Sequence, residues 1–192
     1  MSTATLHRLT ADEYLALERA AVSKSEFFEG EMIPMSGGTL RHDRICLNLL
    51  LALVSGLKSR GFGIFTSNTR VLTPGGLFTY PDVSVVAEEP QLDDDCGDML
   101  ENPLLLIEVL SPSTEAYDRG AKFDRYREIE TLKTYVLVSQ ETRQVEVFSR
   151  GVEGGWTSHM FRTGVVTIPE PQCDIELAAI YDQVNLTAKG TR

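Results

Sequence analysis

The chain has 192 residues, 42% hydrophobic and 24% charged, which excludes intrinsic disorder and predicts one globular domain with its own core. Its longest nearly apolar stretch, residues 45–54, is about half of the roughly 20 residues that a membrane span needs, so we expect no membrane insertion. The formal net charge of −10 argues against tight binding to nucleic acid through phosphate contacts alone.

The N-terminal residues contain no apolar core of a secretory signal, and the cysteines favour a reducing compartment. Cys46, Cys96 and Cys173 lie far apart and form no C-x-x-C motif, which argues against a disulfide framework and a zinc knuckle. We therefore expect a cytoplasmic protein with a single domain over residues 1–192 and a frayed tail from about residue 188.

Much of the negative charge lies in one segment. Residues 88–101 contain no Lys or Arg but seven acids: Glu88, Glu89, Asp93, Asp94, Asp95, Asp98 and Glu101. Such a block of like charges is typical of a solvated loop, and an interface with another subunit is the alternative. Because the imbalance is local, it does not exclude a nucleic-acid substrate.

Helix and turn motifs begin the chain. Thr10-Ala-Asp-Glu13 is a capping box that predicts a short helix, and residues 27–35 predict a hairpin that turns near Glu29-Gly30. The helix would present one apolar face, formed by Tyr14, Leu17 and Ala21.

A longer helix is predicted to begin after Thr39 as N-cap and to end at Gly61. Its core face follows helical spacing and consists of Ile45, Leu49, Ala52 or Leu53, and Leu57.

Three strands are predicted next, over residues 63–72, 80–87 and 104–110. The first alternates in polarity, and the second has Pro81 at its start, where a missing N–H is tolerated. The third is continuously apolar except for Glu108, which predicts burial on both faces at the centre of a sheet.

The remaining pattern predicts a helix from Asp118 or Gly120 to Thr131, then a buried strand over residues 134–139. Residues 145–148 and 156–161 predict an antiparallel extension. The fold class is therefore mixed α/β (α+β): helix, three strands, helix and strand around a central sheet, with an N-terminal hairpin and a C-terminal antiparallel extension.

Two carboxylates stand out as candidate metal ligands. Glu108 interrupts the most apolar strand, and a buried carboxylate needs a partner, a proton or a metal. Asp82 begins the preceding strand, so both side chains can face one cleft if the strands are neighbours. Two converging carboxylates suit Mg²⁺ or Mn²⁺, although a satisfied buried hydrogen bond is the simpler explanation for Glu108 alone.

Lys122 is the third unusual residue. It lies at helical spacing with Tyr126 and Ile129, on the stripe that should face the sheet. A lysine directed at two acids can neutralise phosphate charge or orient an attacking water, whereas most helix lysines are surface residues.

These motifs together resemble a large bacterial family of putative restriction endonucleases in the PD-(D/E)XK nuclease superfamily. The resemblance covers about residues 8–184 and is carried by Pro81-Asp82, residues 107–114, residues 117–126 and residues 135–139. The Glu26-Phe-Phe-Glu-Gly-Glu31 hairpin and His42 resemble the opening segment of the same family.

The resemblance implies a restriction-endonuclease-like fold and Mg²⁺-dependent (or Mn²⁺-dependent) hydrolysis of DNA. It places Asp82 and Glu108 as metal ligands and catalytic residues, with the Val109 carbonyl as a third ligand. The superfamily lysine normally lies two residues after the Glu, where this chain has Leu110. Because residues 108 and 110 share a strand face, Lys122 is the natural replacement.

Glu26 and His42 are auxiliary candidates. Glu26 could add a carboxylate near the metal or face solvent, and His42 could meet a phosphate or act only as a cap. Ser111 has no nucleophile elbow around it, and the chain has neither a Walker A loop nor a Rossmann glycine motif, so no nucleotide cofactor is expected.

The expected partner is DNA, and five arginines could follow its backbone: Arg41, Arg44, Arg70, Arg119 and Arg125. Cleavage of both strands of a duplex needs two sites, which would favour a homodimer. The alternative function is a catalytically inactive nuclease-fold module that binds DNA or a protein, a reading that Leu110 and the sparse positive charge favour.

Overall fold

The structure is a computed structural model that describes residues 8–35, 37–87, 89–93 and 96–186. Its helices are α1 Ala11–Ala20, α2 Leu40–Leu57, α3 Glu115–Arg119, α4 Ala121–Tyr126 and α5 Leu177–Ile180. The strands are β1 Ser25–Phe28, β2 Glu31–Pro34, β3 Gly63–Thr66, β4 Arg70–Leu72, β5 Phe78–Thr79, β6 Val83–Val86, β7 Met99–Leu100, β8 Leu105–Leu110, β9 Thr134–Ser139, β10 Val145–Arg150, β11 Trp156–Phe161, β12 Val165–Ile168 and β13 Cys173–Glu176.

A six-stranded sheet in the order β11-β10-β9-β8-β6-β3 forms the centre of the fold. Strands β8 and β9 are parallel, and the other neighbours are antiparallel. Every residue of β8 is buried, which confirms the prediction from its apolar run. The parallel pair is joined through α3 and α4, as a crossover connection requires. The predicted order of helix, three strands, helix and strand is present as α2, β3, β6, β8, α3–α4 and β9.

Helix α2 covers one face of this sheet as predicted. The Thr39 side chain accepts a hydrogen bond from the His42 N–H and caps the helix. Ile45, Leu49, Leu53 and Leu57 are buried against β6, β8 and β9, so Leu53 rather than Ala52 carries the third core position. A short 3-10 turn follows, and Gly61 ends it with a left-handed φ of 86°.

The N-terminal hairpin belongs to a second sheet in the order β2-β1-β5-β4-β7. Its predicted turn at Glu29-Gly30 is confirmed, with φ values of 49° and 85°. The capping box of α1 is also confirmed, but the predicted apolar face is wrong in part. Tyr14 is buried and stacks on Phe27, whereas Leu17 is 51% exposed and Glu18 is buried beside it.

One of the three predicted strands is divided and another is shortened. Residues 63–72 form β3 and β4 in different sheets, because the chain turns at Thr66–Thr69, where the Thr69 N–H donates to the Thr66 carbonyl. Residues 80–87 contain β6 alone, with β5 ending before Pro81. In the first segment, polar and apolar residues continue to alternate through the turn at Thr66–Thr69, so the sequence does not indicate the turn. In the second segment, Pro81 cannot donate to a strand ladder, and β6 begins after it.

The helix predicted to reach Thr131 is broken and shorter. It begins at Glu115, breaks at Gly120 and ends at Tyr126. Gly120 has φ −111° and ψ −104°, and a Cβ there would lie 3.1 Å from the Ala116 carbonyl oxygen. The buried stripe of Lys122, Tyr126 and Ile129 is nevertheless confirmed.

The C-terminal region contains more than was predicted. The antiparallel pair β10–β11 is confirmed, while the β12–β13 hairpin and α5, which pack on α2, were not predicted. The tail from residue 188 lies outside the described residues. Among the helices that the structure describes, none is long and apolar enough to cross a membrane.

The acidic segment is not simply a solvated loop. Asp98 forms ion pairs with Arg19 and Arg70, and Met99–Leu100 adds β7 to the second sheet. Glu88, Asp94 and Asp95 lie outside the described residues. The solvated-loop interpretation is therefore wrong at Asp98, whose charge two arginines neutralise, whereas Glu101 is exposed.

Candidate active site

Asp82 and Glu108 are brought together by the antiparallel pairing of β6 with β8. The register places Val83 opposite Ile107, so each acid lies one residue further toward the same end of the pair. The Val109 N–H donates to Oδ2 of Asp82 at 2.7 Å, which holds the aspartate against β8. The two predicted carboxylates therefore face a common end of the central sheet.

The Lys122 ammonium lies among three carboxylates. Its Nζ is 2.8 Å from Oε1 of Glu108, 2.8 Å from Oε1 of Glu26 and 3.6 Å from Oδ1 of Asp118. All four side chains are buried. The cluster thus combines three carboxyl groups with one ammonium, and a divalent cation bound beside it would favour the ionised carboxylates.

Glu26 is thus a member of this cluster and not a solvent-facing hairpin residue. It is only 4% exposed, and the Thr79 hydroxyl donates to the same oxygen that contacts Lys122. Strand β1 positions Glu26 in the cluster by pairing with β5, which carries Thr79. The second sheet therefore contributes directly to the site.

Three further residues were not predicted for the site. The Tyr126 hydroxyl donates to Oε1 of Glu108 at 2.9 Å, Asp118 contacts Lys122, and the Tyr135 hydroxyl donates to the Asp118 carbonyl. Asp118, Lys122 and Tyr126 follow one another at intervals of four residues, which puts them on one helix face. The sequence could therefore have indicated Asp118 and Tyr126. Tyr135 lies within an apolar strand and has no such indication.

Burial sets the charge states of the cluster. Desolvation raises the pKa of Glu108 to about 8, and the nearby Lys122 ammonium only partly opposes this. Burial also disfavours the Lys122 ammonium, but the carboxylates of Glu108, Glu26 and Asp118 outweigh it and raise the lysine pKa well above its usual range. Lys122 is therefore a permanent cation at neutral pH.

His42 lies on the other side of Asp82. Its Nε2 is 3.2 Å from Oδ2 of Asp82, and its Nδ1 is 3.6 Å from Sγ of Cys46 one helical turn onward. Burial lowers the histidine pKa, but the bond to Asp82 and the Asp82 charge outweigh this and raise it overall. His42 therefore contacts a predicted metal ligand, and it is not the helix cap, since its own N–H is capped by Thr39.

The donor set fits a hard divalent cation. The hydrogen bonds and ion pairs to Asp82 fall on Oδ2, and those to Glu108 fall on Oε1. In the described part of the chain, one oxygen of each carboxylate is thus left without such a contact. Carboxylate oxygens are the ligands that Mg²⁺ and Mn²⁺ prefer, with water in the remaining positions.

Leu110 occupies the position where the superfamily has its lysine. It is buried with Phe123 and Tyr126 in an apolar cluster on the face of β8 that also carries Glu108. Lys122 reaches that face from α4. Lys122 therefore contacts Glu108, and its replacement of the strand lysine stays a prediction.

The predicted DNA-contacting arginines differ in their surroundings. Arg70 is 3% exposed and donates to the Tyr80 hydroxyl, so its assignment to the phosphate backbone is wrong. Arg41, Arg119 and Arg125 each form an ion pair with a glutamate. Arg44 is exposed on α2, two residues after His42.

Comparison with known proteins places this geometry in a family. Residues 11–179 match the model of the Uma2 family, described as a putative restriction endonuclease. In Synechocystis sp., "Uncharacterized protein sll1609" is 39% identical over 157 residues, 81% of this chain and 89% of that protein. "Uncharacterized protein slr1290" of the same organism is 34% identical over 155 residues, 80% of each chain.

The fold also has a solved counterpart. The crystal structure of a putative nuclease belonging to DUF820 from Anabaena variabilis superposes with a TM-score of 0.75, at 20% identity, over 92% of this chain and 99% of the other. The predicted restriction-endonuclease-like fold is therefore confirmed. The family match, which covers most of the chain and contains the Asp82, Glu108 and Lys122 motifs, leads to one assignment: the chain belongs to the Uma2 family of putative restriction endonucleases.

Proposed function

We propose that this protein is a metal-dependent endonuclease, a hydrolase that cleaves DNA phosphodiester bonds with Mg²⁺ or Mn²⁺. The observation that carries the proposal is the contact of the Lys122 ammonium with Glu108, next to Asp82, at one end of the central sheet. This contact supports a site of the PD-(D/E)XK type in which the lysine comes from a helix instead of the strand.

Asp82, Glu108 and the Val109 carbonyl would hold the divalent ion. When bound, the ion lowers the pKa of a coordinated water and polarises the scissile phosphate. The Val109 N–H keeps the Asp82 carboxylate oriented, and the Tyr126 hydroxyl does the same for Glu108. These bonds fix the two ligands in place before substrate arrives.

Lys122 would stabilise the negative charge that builds up on the phosphate oxygens. Glu26 and Asp118 hold its ammonium at the cluster and maintain its charge. A fixed cation in a partly dehydrated site is more effective than a solvated one, because no solvent has to reorganise during the reaction. His42, beside Asp82, is an auxiliary residue that can donate to a phosphate oxygen when protonated.

The proposed substrate is DNA, bound in an ion-dependent manner. The acidic composition makes tight metal-free binding unfavourable, and Arg44 offers an exposed cation on the helix that carries His42. A homodimer would supply the second site that duplex cleavage needs.

An inactive nuclease-fold module is the competing function, and Leu110 is the observation in its favour. Such a module has no need of a buried cluster of one lysine and three acids, since moving these charged groups out of water is costly even when they are paired. The contact between Lys122 and Glu108 therefore favours the enzyme.

The test is cleavage of labelled DNA, duplex and single-stranded, by purified protein with Mg²⁺ or Mn²⁺. We expect nicks or cuts that EDTA stops and that Asp82→Ala and Glu108→Ala each abolish. Cleavage that survives both substitutions would contradict the assignment. Calorimetric titration of the protein with Mn²⁺ at neutral pH distinguishes the two functions, because an inactive module is predicted to bind no Mn²⁺.

A further inference from the structure

A second donor set adjoins the proposed nuclease centre and contains sulfur. His42 and Cys46 lie one turn apart on α2, and Asp82 faces them from the start of β6. One ligand atom from each of the three residues lies within 4.8 Å of the other two. All three side chains are partly buried, so an ion from solvent can reach them.

One donor pair already has the spacing of a tetrahedral zinc site. Zn–S and Zn–N bonds of about 2.3 and 2.0 Å at a tetrahedral angle place sulfur and nitrogen about 3.5 Å apart. Sγ of Cys46 and Nδ1 of His42 are 3.6 Å apart. The Asp82 contact is made to the other ring nitrogen, with Oδ2 3.2 Å from Nε2, and the three donors lie within 4.8 Å of one another. An ion held by Cys46 and one nitrogen of His42 therefore needs the remaining donor to move closer to complete three protein ligands, which leaves a fourth position for water.

The chemistry of this set differs from that of the carboxylate pair. Thiolate is a soft ligand and imidazole a borderline one, and together they favour Zn²⁺ or its substitute Co²⁺, whereas Mg²⁺ prefers oxygen alone. Cys46 therefore distinguishes the two sites, and Asp82 is common to both.

We infer that His42, Cys46 and Asp82 form a binding site for a thiophilic divalent cation such as Zn²⁺. On binding, the Cys46 thiol forms a bond from sulfur to the metal and releases its proton to the buffer, as thiolate coordination requires. Neither the oxidation state of the metal nor that of the sulfur changes.

The shared aspartate makes the site inhibitory, a consequence that rests on the proposed function. A second dication held by the same Asp82 carboxylate would repel the first, so ions at the two sites disfavour each other. Zn²⁺ would therefore compete with Mg²⁺ or Mn²⁺ and suppress DNA cleavage. Mg²⁺ or Mn²⁺ bound by the oxygen ligands would make no bond to Cys46.

Cobalt substitution tests the site without reference to nuclease activity. Full-length Cys96→Ser protein is the parent, because it removes an exposed thiol. Addition of Co²⁺ should produce a near-ultraviolet thiolate-to-cobalt charge-transfer band that Zn²⁺ displaces. Cys46→Ser in this parent should abolish the band, and the matched control Cys173→Ser should retain it.

A second measurement covers the case in which Cys46→Ser fails to fold. In the unsubstituted protein, Zn²⁺ should slow alkylation of Cys46 by iodoacetamide at least about tenfold, and Mg²⁺ should not, as mass spectrometry of the peptide reports. Absence of the band together with unprotected Cys46, or a band that persists in Cys46→Ser, would overturn the inference. A cobalt band in a protein that neither binds Mn²⁺ nor cuts DNA would sustain this site and reject the nuclease.

Discussion

Nζ of Lys122 lies 2.8 Å from Oε1 of Glu108, although the lysine comes from α4 and the glutamate from the centre of β8. In the usual motif, the acid and the lysine lie two residues apart on one strand. Here the same pair of groups is brought together from a strand and a helix. Here the strand position is filled by Leu110, which packs in the apolar cluster with Phe123 and Tyr126. The strand position is thus apolar, and the ammonium beside Glu108 comes from the helix.

Replacing the lysine tests its electrostatic importance. Lys122→Met leaves Glu26, Glu108 and Asp118 without their common cation, so we expect a loss of about 3 kcal/mol in the free energy of unfolding and loss of cleavage. Urea denaturation in EDTA measures the first effect. The exposed Lys58→Met is the matched control and should change stability by less than about 0.5 kcal/mol. Equal stability of the two variants would contradict the cluster's role.

Exchanging the two positions tests whether the lysine has replaced the usual strand residue. Lys122→Leu alone should abolish DNA cleavage, and Leu110→Lys alone should destabilise the protein by placing a charge in an apolar cluster. The double variant should recover part of the cleavage rate, because residue 110 shares the strand face of Glu108. A double variant no more active than Lys122→Leu would argue that the helix position is specifically required.

The cap of α2 links stability to the placement of His42. Thr39 accepts from the His42 N–H and donates to Oε1 of Gln140, so Thr39→Ala should lower the free energy of unfolding by about 1 kcal/mol. Thermal or urea unfolding measures the change. Ser55→Ala, exposed within the same helix, is the control and should be neutral or slightly stabilising. A neutral Thr39→Ala would show that the cap is not needed.

The Asp98 ion pairs predict a pH dependence. The hydrogen bond from Arg19, helped by the Arg70 charge, holds the Asp98 pKa below its usual value. A depressed folded-state pKa stabilises the protein above the unfolded pKa of about 4, and the effect disappears as the pH falls through the folded value. Asp98→Asn should therefore lower Tm by a few degrees at pH 7 and by less at pH 3.

Calorimetric scans of Asp98→Asn and the parent across that range provide the measurement. Asp174→Asn, at an exposed strand position, serves as the control, with no comparable pH-dependent difference expected. A Tm difference for Asp98→Asn that is equal at pH 7 and pH 3 would show that the ion pairs do not stabilise the fold.

Local patterns were sufficient to predict much of this molecule. The capping box at Thr10, the cap at Thr39 and the apolar run of β8 each reflect short-range or single-element physics, and each is confirmed. The division between β3 and β4 was not predicted, because polar alternation continues through the turn and only the assignment to two sheets separates the strands.

Long-range contacts account for what sequence reasoning missed at the site. Lys122 was identified because it lies on a buried helical stripe. The burial of Glu26 depends on the pairing of β1 with β5, and the contact between His42 and Asp82 depends on how α2 crosses the sheet. Arg70 was misassigned because its partners, Tyr80 and Asp98, come from other strands and turns.

The most direct test of the metal centre is a crystal structure of the protein with Mn²⁺, located by its anomalous scattering. The account predicts one strong peak about 2.1 Å from oxygens of both Asp82 and Glu108, with the Lys122 ammonium beside the cluster and Cys46 outside the coordination sphere. Absence of a peak between the two carboxylates at saturating Mn²⁺, or a peak bound by neither, would contradict it.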